Sequence, residues 1–118
     1  MRNEQNNGKG TTMMTTEEAT QNAETILEQM GGKGRIGAMV GVTSFFMNVD
    51  KNKGGAGFRF RARAAKAIKC VTIVLEASDT YTMKFYSLRG VVKHEVTDVY
   101  ATDLKSIFED TTGLYLSL

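Results

Sequence analysis

Apolar residues in this chain recur every three or four positions up to Met30, every second position from there to about Thr97, and every three or four again from Tyr100. A helix buries one stripe at a period near 3.6 and a strand buries one face at a period of two, so this order reads as helix, sheet, helix. In the first segment Ala19, Ala23, Ile26, Leu27 and Met30 fall on one helical face, while Glu17, Glu24 and Glu28 point elsewhere. Thr15-Thr16-Glu17-Glu18 carries the capping-box pattern, and Gly31-Gly32 supplies a left-handed stop.

Beyond Gly32, β-branched and aromatic residues come in short runs parted by Gly, Asn or Asp. The runs predict strands near Ile36–Val40, Ser44–Asn48, Gly57–Ala62, Cys70–Glu76, Tyr81–Leu88 and Val91–Thr97. The first two also fit one bent strand with Gly37 and Gly41 at bulges. Asp50 to Gly55 reads as a mobile hairpin loop and Ser78-Asp79 as a tight turn. Short links of this kind join antiparallel neighbours. Between Ala62 and Ile68 the alanine content favours helix, whereas the position between two strand patterns favours a connection. The last segment predicts a helix with Tyr100, Leu104, Ile107 and Phe108 on one face, Asp98 as N-cap and Gly113 past its end. The apolar run Leu114 to Leu118 is expected to pack back on the core or add to the sheet.

The expected architecture is thus an α+β domain over residues 15–118: an antiparallel twisted sheet of four to six strands, with an N-terminal and a C-terminal helix packed on one face. Residues 1–14, rich in Asn, Gln, Gly, Lys and Thr, read as a disordered tail. A chain of 118 residues with 42% apolar and 24% charged residues is long enough for one such core. No apolar run approaches the roughly 18 residues of a membrane span, and the first residues carry no hydrophobic signal region, so the chain is expected to be cytoplasmic with no membrane partner.

The net charge of +2 conceals three unequal parts. Residues 1–50 sum to −2, residues 51–93 to +8 and residues 94–118 to −4. Within the basic part Arg59, Arg61 and Arg63 alternate with Phe58, Phe60 and Ala62, so in a strand the guanidinium groups share one face and the rings the other. Lys84 and Tyr86 alternate with Met83 and Phe85 in the same way, and Arg89 and Lys93 lie close by in sequence. Together these seven residues predict a basic sheet face suited to nucleic acid: Arg59, Arg61, Arg63, Lys84, Arg89 and Lys93 for phosphates and Tyr86 for stacking on a base. The alternative is a solvated outer face on which long cationic side chains cover apolar surface and deter edge pairing.

Gly32-Lys33-Gly34-Arg35-Ile36-Gly37 matches G-x-G-x-x-G, but the dinucleotide fingerprint needs a strand before it and a helix after it, and here the order is reversed. The Gly54-Gly55-Ala56-Gly57 stretch reads as a flexible turn before it reads as a phosphate cradle. His94 and Glu95 are adjacent and face opposite sides of a strand, so they do not form a catalytic pair, and no nucleophile signature is present. Cys70 sits in an apolar run as a small buried residue; a single Cys and a single His build neither a disulfide nor a zinc site, so no metal or cofactor is expected. Asp103, Glu109 and Asp110 on the last helix read as solvated charges, with Asp103 also favouring the helix dipole. A sharper reading docks this acidic helix on the basic face of a second copy, in a head-to-tail or twofold assembly of which a homodimer is the simplest.

Ile26 to Gly32, Val71 to Leu75 followed by Asp79-Thr80-Tyr81, Arg89-Gly90, and Val99-Tyr100 leading to Phe108 and Thr112-Gly113-Leu114-Tyr115 resemble a group of small uncharacterised proteins encoded by bacteriophages and mobile elements. The resemblance spans residues 24–118 and implies a phage setting inside a bacterial host cell, without implying a reaction. Between Arg59 and Lys69 the chain departs from that group in being unusually rich in Arg and Ala. The reading that follows from the residues is a non-enzymatic protein that binds single-stranded DNA or RNA through the basic face, without strong sequence preference. Its alternative is an inhibitor or adaptor acting on a host protein, such as a defence complex.

Overall fold

The computed structural model describes residues 16–47 and 53–116. The cap expected at Thr15, the tail over residues 1–14 and residues 50–52 of the loop expected from Asp50 to Gly55 lie outside the described residues. The chain forms helices α1 (Thr16–Gln29) and α2 (Lys33–Val40), strands β1 (Val42–Met47), β2 (Gly55–Phe60), β3 (Ile68–Leu75), β4 (Tyr81–Ser87) and β5 (Val92–Val99), and helix α3 (Leu104–Thr112). A left-handed turn at Ala65–Ala67 leads into β3, and a one-turn 3₁₀ helix at Ala101–Asp103 leads into α3. The strands form one antiparallel sheet in sequence order, β1-β2-β3-β4-β5, giving an α+β fold.

The first helix ends as the two glycines require. The Gly32 amide donates to the Leu27 carbonyl at 2.9 Å and the Gly31 amide to Glu28 at 3.0 Å, while Gly31 holds φ +115. This is the Schellman arrangement, which a side chain at Gly31 would strain. Ala23, Ile26, Leu27 and Met30 are all buried, as their spacing demands.

Residues Ile36–Val40, expected as a strand, are instead the second half of α2. Ile36 and Val40 are four apart, a spacing that serves a buried strand face and a buried helix face equally well. Ala38 separates the two: it would share their face in a strand, and it is exposed. The helix stops at Gly41, whose left-handed backbone (φ 68) directs its amide to the Gly37 carbonyl, so Gly41 is a cap and not a bulge. Burial of Ile36 and Val40 outweighs the poor helix propensity of Gly34 and Gly37.

A second correction falls at the last helix. Asp98, expected as its N-cap, belongs to β5 and sits beside a bulge with φ 57. Asp103 holds the N-cap position of α3, and Tyr100 is 64% exposed, because the 3₁₀ turn rotates it away from the buried stripe Leu104, Phe108 and Thr112. The segment after Gly113 does return to the core. Leu116 is fully buried, and its amide donates to a carboxylate oxygen of Glu109 at 2.8 Å.

One face of the sheet carries Phe58, Phe60, Val71, Ile73, Met83 and Phe85, which join Ala23, Ile26 and Leu27 of α1, Ile36 and Val40 of α2, and Leu104 and Phe108 of α3 in a single buried cluster. Phe108 lies at its centre, with ring centroids 5.6 Å from Phe58, 5.7 Å from Phe60 and 6.3 Å from Phe85, the range in which aromatic pairs add to simple burial. Gly57 points to the other face, where a Cβ would stand 2.5 Å from the Val71 carbonyl oxygen, so only glycine lets β2 and β3 approach this closely.

Two substitutions test this account by urea unfolding. Phe108→Ala is expected to destabilise by about 3–5 kcal/mol through the cavity it leaves. Gly57→Ala is expected to cost about 1–3 kcal/mol, because backbone on β3 must shift to admit one methyl group.

Candidate functional site

The face opposite the buried cluster is built from the alternate residues of the same strands. Register aligns Ser44, Arg59, Cys70 and Tyr86 in one row across β1 to β4, and Phe46, Gly57, Thr72, Lys84 and Glu95 in the next across all five. Arg59, Lys84 and Tyr86 therefore share this face, as the alternation predicts. Arg59 and Tyr86 are each held by a neighbour from an adjacent strand. The Arg59 guanidinium stands 5.8 Å over the Phe46 ring, and the Thr72 hydroxyl donates to the Tyr86 phenol oxygen at 3.5 Å. Cys70 is buried on this face, in register with Arg59 and Tyr86. Burial raises its thiol pKa, and the charge of Arg59 acts against that rise.

Arg61 and Arg63 do not lie in the strand. β2 ends at Phe60, two residues before the expected boundary, and the Arg61 and Ala62 amides donate to the carbonyls of Gly41 and Val40 at 3.0 and 3.1 Å. The α2 terminus thus takes over the pairing that β1 leaves off. Arg61 still joins Arg59, Lys69 and Leu88 along a shallow groove of ≈ 300 Å³, whereas Arg63 is exposed on the connection to β3. Arg89 is exposed in the β4–β5 turn, and Lys93 is exposed on β5 at the bulge opposite Phe85 and Tyr86.

The meander explains where these charges collect. Connections β2–β3 and β4–β5 both leave the sheet at the same end, so Arg59, Arg61, Arg63, Lys66, Lys69, Arg89 and Lys93 meet there. Residues 59–69 and 88–93 contain no acidic residue. Lys69 also shapes the backbone, since its ammonium donates to the Arg61 carbonyl at 2.9 Å and to Ala62 at 3.3 Å, fixing the start of the arginine segment. Alternation alone does not single out Lys69, which borders an apolar run; its position one residue before that run is the available signal.

At the other end the face is of mixed sign. A wider groove of ≈ 590 Å³ is lined by Thr72, Thr82, Lys84, Tyr86, Glu95 and their neighbours, with Lys53, Glu76 and Asp98 at its margin. Glu76 bonds Lys53 at 2.8 Å and accepts from the Thr82 hydroxyl at 2.7 Å. The same contacts hold its carboxyl below the ordinary value of 4.5. His94 turns to the opposite face, its ring 6.1 Å from Phe85, so His94 and Glu95 are separated by the sheet itself.

Among the described residues no group of three or more His, Cys, Asp or Glu is placed to hold a metal ion, and no helix is long and apolar enough to cross a membrane. Comparison with known proteins finds no matching family model, no matching curated protein and no matching solved structure.

The Glu76 contacts carry a pH dependence of definite sign. A carboxyl whose folded pKa lies below its unfolded value contributes stability above the unfolded value and loses it as pH falls through the folded one. Acidification below pH 4.5 is therefore expected to lower the melting temperature more steeply in the native protein than in Glu76→Gln, as followed by circular dichroism.

Proposed function

We propose that this is a non-enzymatic, phage-type protein that binds single-stranded DNA or RNA across the open sheet face, within a bacterial host cell. Arg59, Arg61, Arg63, Arg89 and Lys93 meet phosphates at the basic end, Lys84 extends the path toward the mixed groove, and Tyr86 stacks on a base. The observation that carries this reading is the gathering of cations from two separate connections at one end of the sheet, without an intervening acid, beside a face that bears Tyr86. A backbone of phosphates is the ligand that rewards such a field, and arginine meets phosphate with two parallel hydrogen bonds. A half-buried aromatic ring that opens on this face, Tyr86, adds stacking that every base accepts.

A second reading, an inhibitor or adaptor seated on a host (defence) protein complex, draws on the exposed apolar side chains of the β4–β5 turn. Leu88, Val91 and Val92 are 70%, 56% and 48% exposed, and a cluster of this kind favours a protein surface over a polyanion.

Fluorescence anisotropy with labelled single-stranded oligonucleotides at several salt concentrations separates the two. Phosphate contacts predict a log–log salt slope of about −0.7 per contact. The double variant Arg59→Glu, Arg61→Glu is expected to make that slope shallower by about 1.4 and to weaken binding at least about tenfold at low salt. Its loss of stability should stay near 1 kcal/mol, the scale of the cation-π contact between Arg59 and Phe46. Absence of oligonucleotide binding at low salt would overturn the first reading and direct attention to the Leu88–Val92 turn.

A further inference from the structure

Among the described residues the mixed groove contains a donor and an acceptor that no hydrogen bond or ion pair engages, although the charge of Lys84 helps to hold the Glu76 carboxyl low. Lys84 on β4 and Glu95 on β5 are direct cross-strand partners on the open face. Opposed residues have Cβ atoms about 5 Å apart, close enough for an ion pair. Yet the salt bridge at this end joins Lys53 to Glu76 instead, and among the described residues neither Lys84 nor Glu95 makes an ion pair or a side-chain hydrogen bond. Glu76 is already occupied by Lys53 and Thr82. The groove thus offers one ammonium and one carboxylate side by side, and Tyr86 lies two residues along β4 from Lys84 on the same face. Its volume of ≈ 590 Å³ suits a small planar ligand.

A carboxylate is a poor neighbour for phosphate, so Glu95 has no place in a purely phosphate-binding face. It does suit a base edge that presents hydrogens. Guanine alone among the bases carries two adjacent N–H donors, at N1 and N2, beside an acceptor at O6. The two oxygens of Glu95 match the donors in parallel, and the Lys84 ammonium matches O6. Adenine sets the N1 lone pair against the carboxylate, and thymine flanks its single N3–H with two carbonyl oxygens. Both leave repulsion where guanine makes bonds, so rejection adds to attraction.

Resting on the single-strand reading above, we infer that this groove recognises one unpaired guanine, with its Watson–Crick edge on Glu95 and Lys84 and its ring against Tyr86. Phosphate contacts at the basic end then set affinity, and this pocket sets base preference.

The test uses four labelled nine-nucleotide dT strands whose central base is dG, dA, dC or dT, titrated by anisotropy into the full chain. The dG strand is expected to bind about tenfold more tightly than the dA strand, the scale of one good two-bond base contact. In Glu95→Ala and in the shape-preserving Glu95→Gln, with folding checked by circular dichroism, the ratio of dA to dG dissociation constants is expected to fall toward one. Equal affinity for all four strands overturns the guanine pocket while leaving single-strand binding in place. So does preference for another base, or a dG preference that survives in both variants. Failure of every strand to bind overturns the single-strand reading and this inference with it.

Discussion

Phe108 reaches from α3 to rings on two strands that are not neighbours, Phe58 and Phe60 on β2 and Phe85 on β4, with β3 running between them. A ring that touches both sides of a central strand fixes the curvature of that part of the sheet as well as its burial. Because successive side chains alternate, the backbone positions that put Phe58 and Phe85 against Phe108 also aim Arg59, Lys84 and Tyr86 to the other side. The open face is therefore arranged by contacts it does not itself make. A slip of one residue on β4 would exchange Met83 and Phe85 for Lys84 and Tyr86, and the bulges on either side of the Met83–Phe85 segment hold the register against it.

Charge on the open face follows from topology more than from any single strand. A meander returns every second connection to the same end, and here both of those connections are basic. The intervening β3–β4 turn carries Glu76 and Asp79 to the far end, and β5 delivers Asp98 there. The result is a gradient along the strands, from a cationic end through Tyr86 to a groove of both signs. Under the proposed function, a nucleic-acid chain lying along the strands would meet attraction first and discrimination second.

Much of this was legible in the sequence where a residue had one reading. The buried face of α1, the Gly31-Gly32 stop, the alternation in β3 and β4 and the left-handed Gly113 all follow from local rules. Ile36 and Val40 misled because a spacing of four suits both elements, and only the exposure of Ala38 resolves it. Asp98 misled because aspartate tolerates a left-handed backbone at a bulge as readily as it caps a helix. For the site, alternation placed Arg59, Lys84 and Tyr86 on one face. It could not show that Arg61 and Arg63 lie past the strand, that Lys69 holds their backbone, or that Glu95 stands opposite Lys84. Each of these depends on where strands end and how they register, information that spans residues far apart in the chain.

The turn that carries part of the basic end has an unusual backbone. Lys66 and Ala67 hold φ 58 and φ 60 in succession, a left-handed conformation that residues with a Cβ adopt at a cost of about 1–3 kcal/mol each when it is not eased by local bonds. Both side chains are exposed, so no burial compensates at those positions. The compensation lies just after the turn, in the buried Ile68 and in the Lys69 ammonium that ties back to Arg61 and Ala62 before it. A segment clamped in this way has few shapes to lose. Under the proposed function its cations would meet a phosphate backbone as a nearly rigid set, and the entropy that a floppy basic loop would surrender on contact would already have been given up in folding.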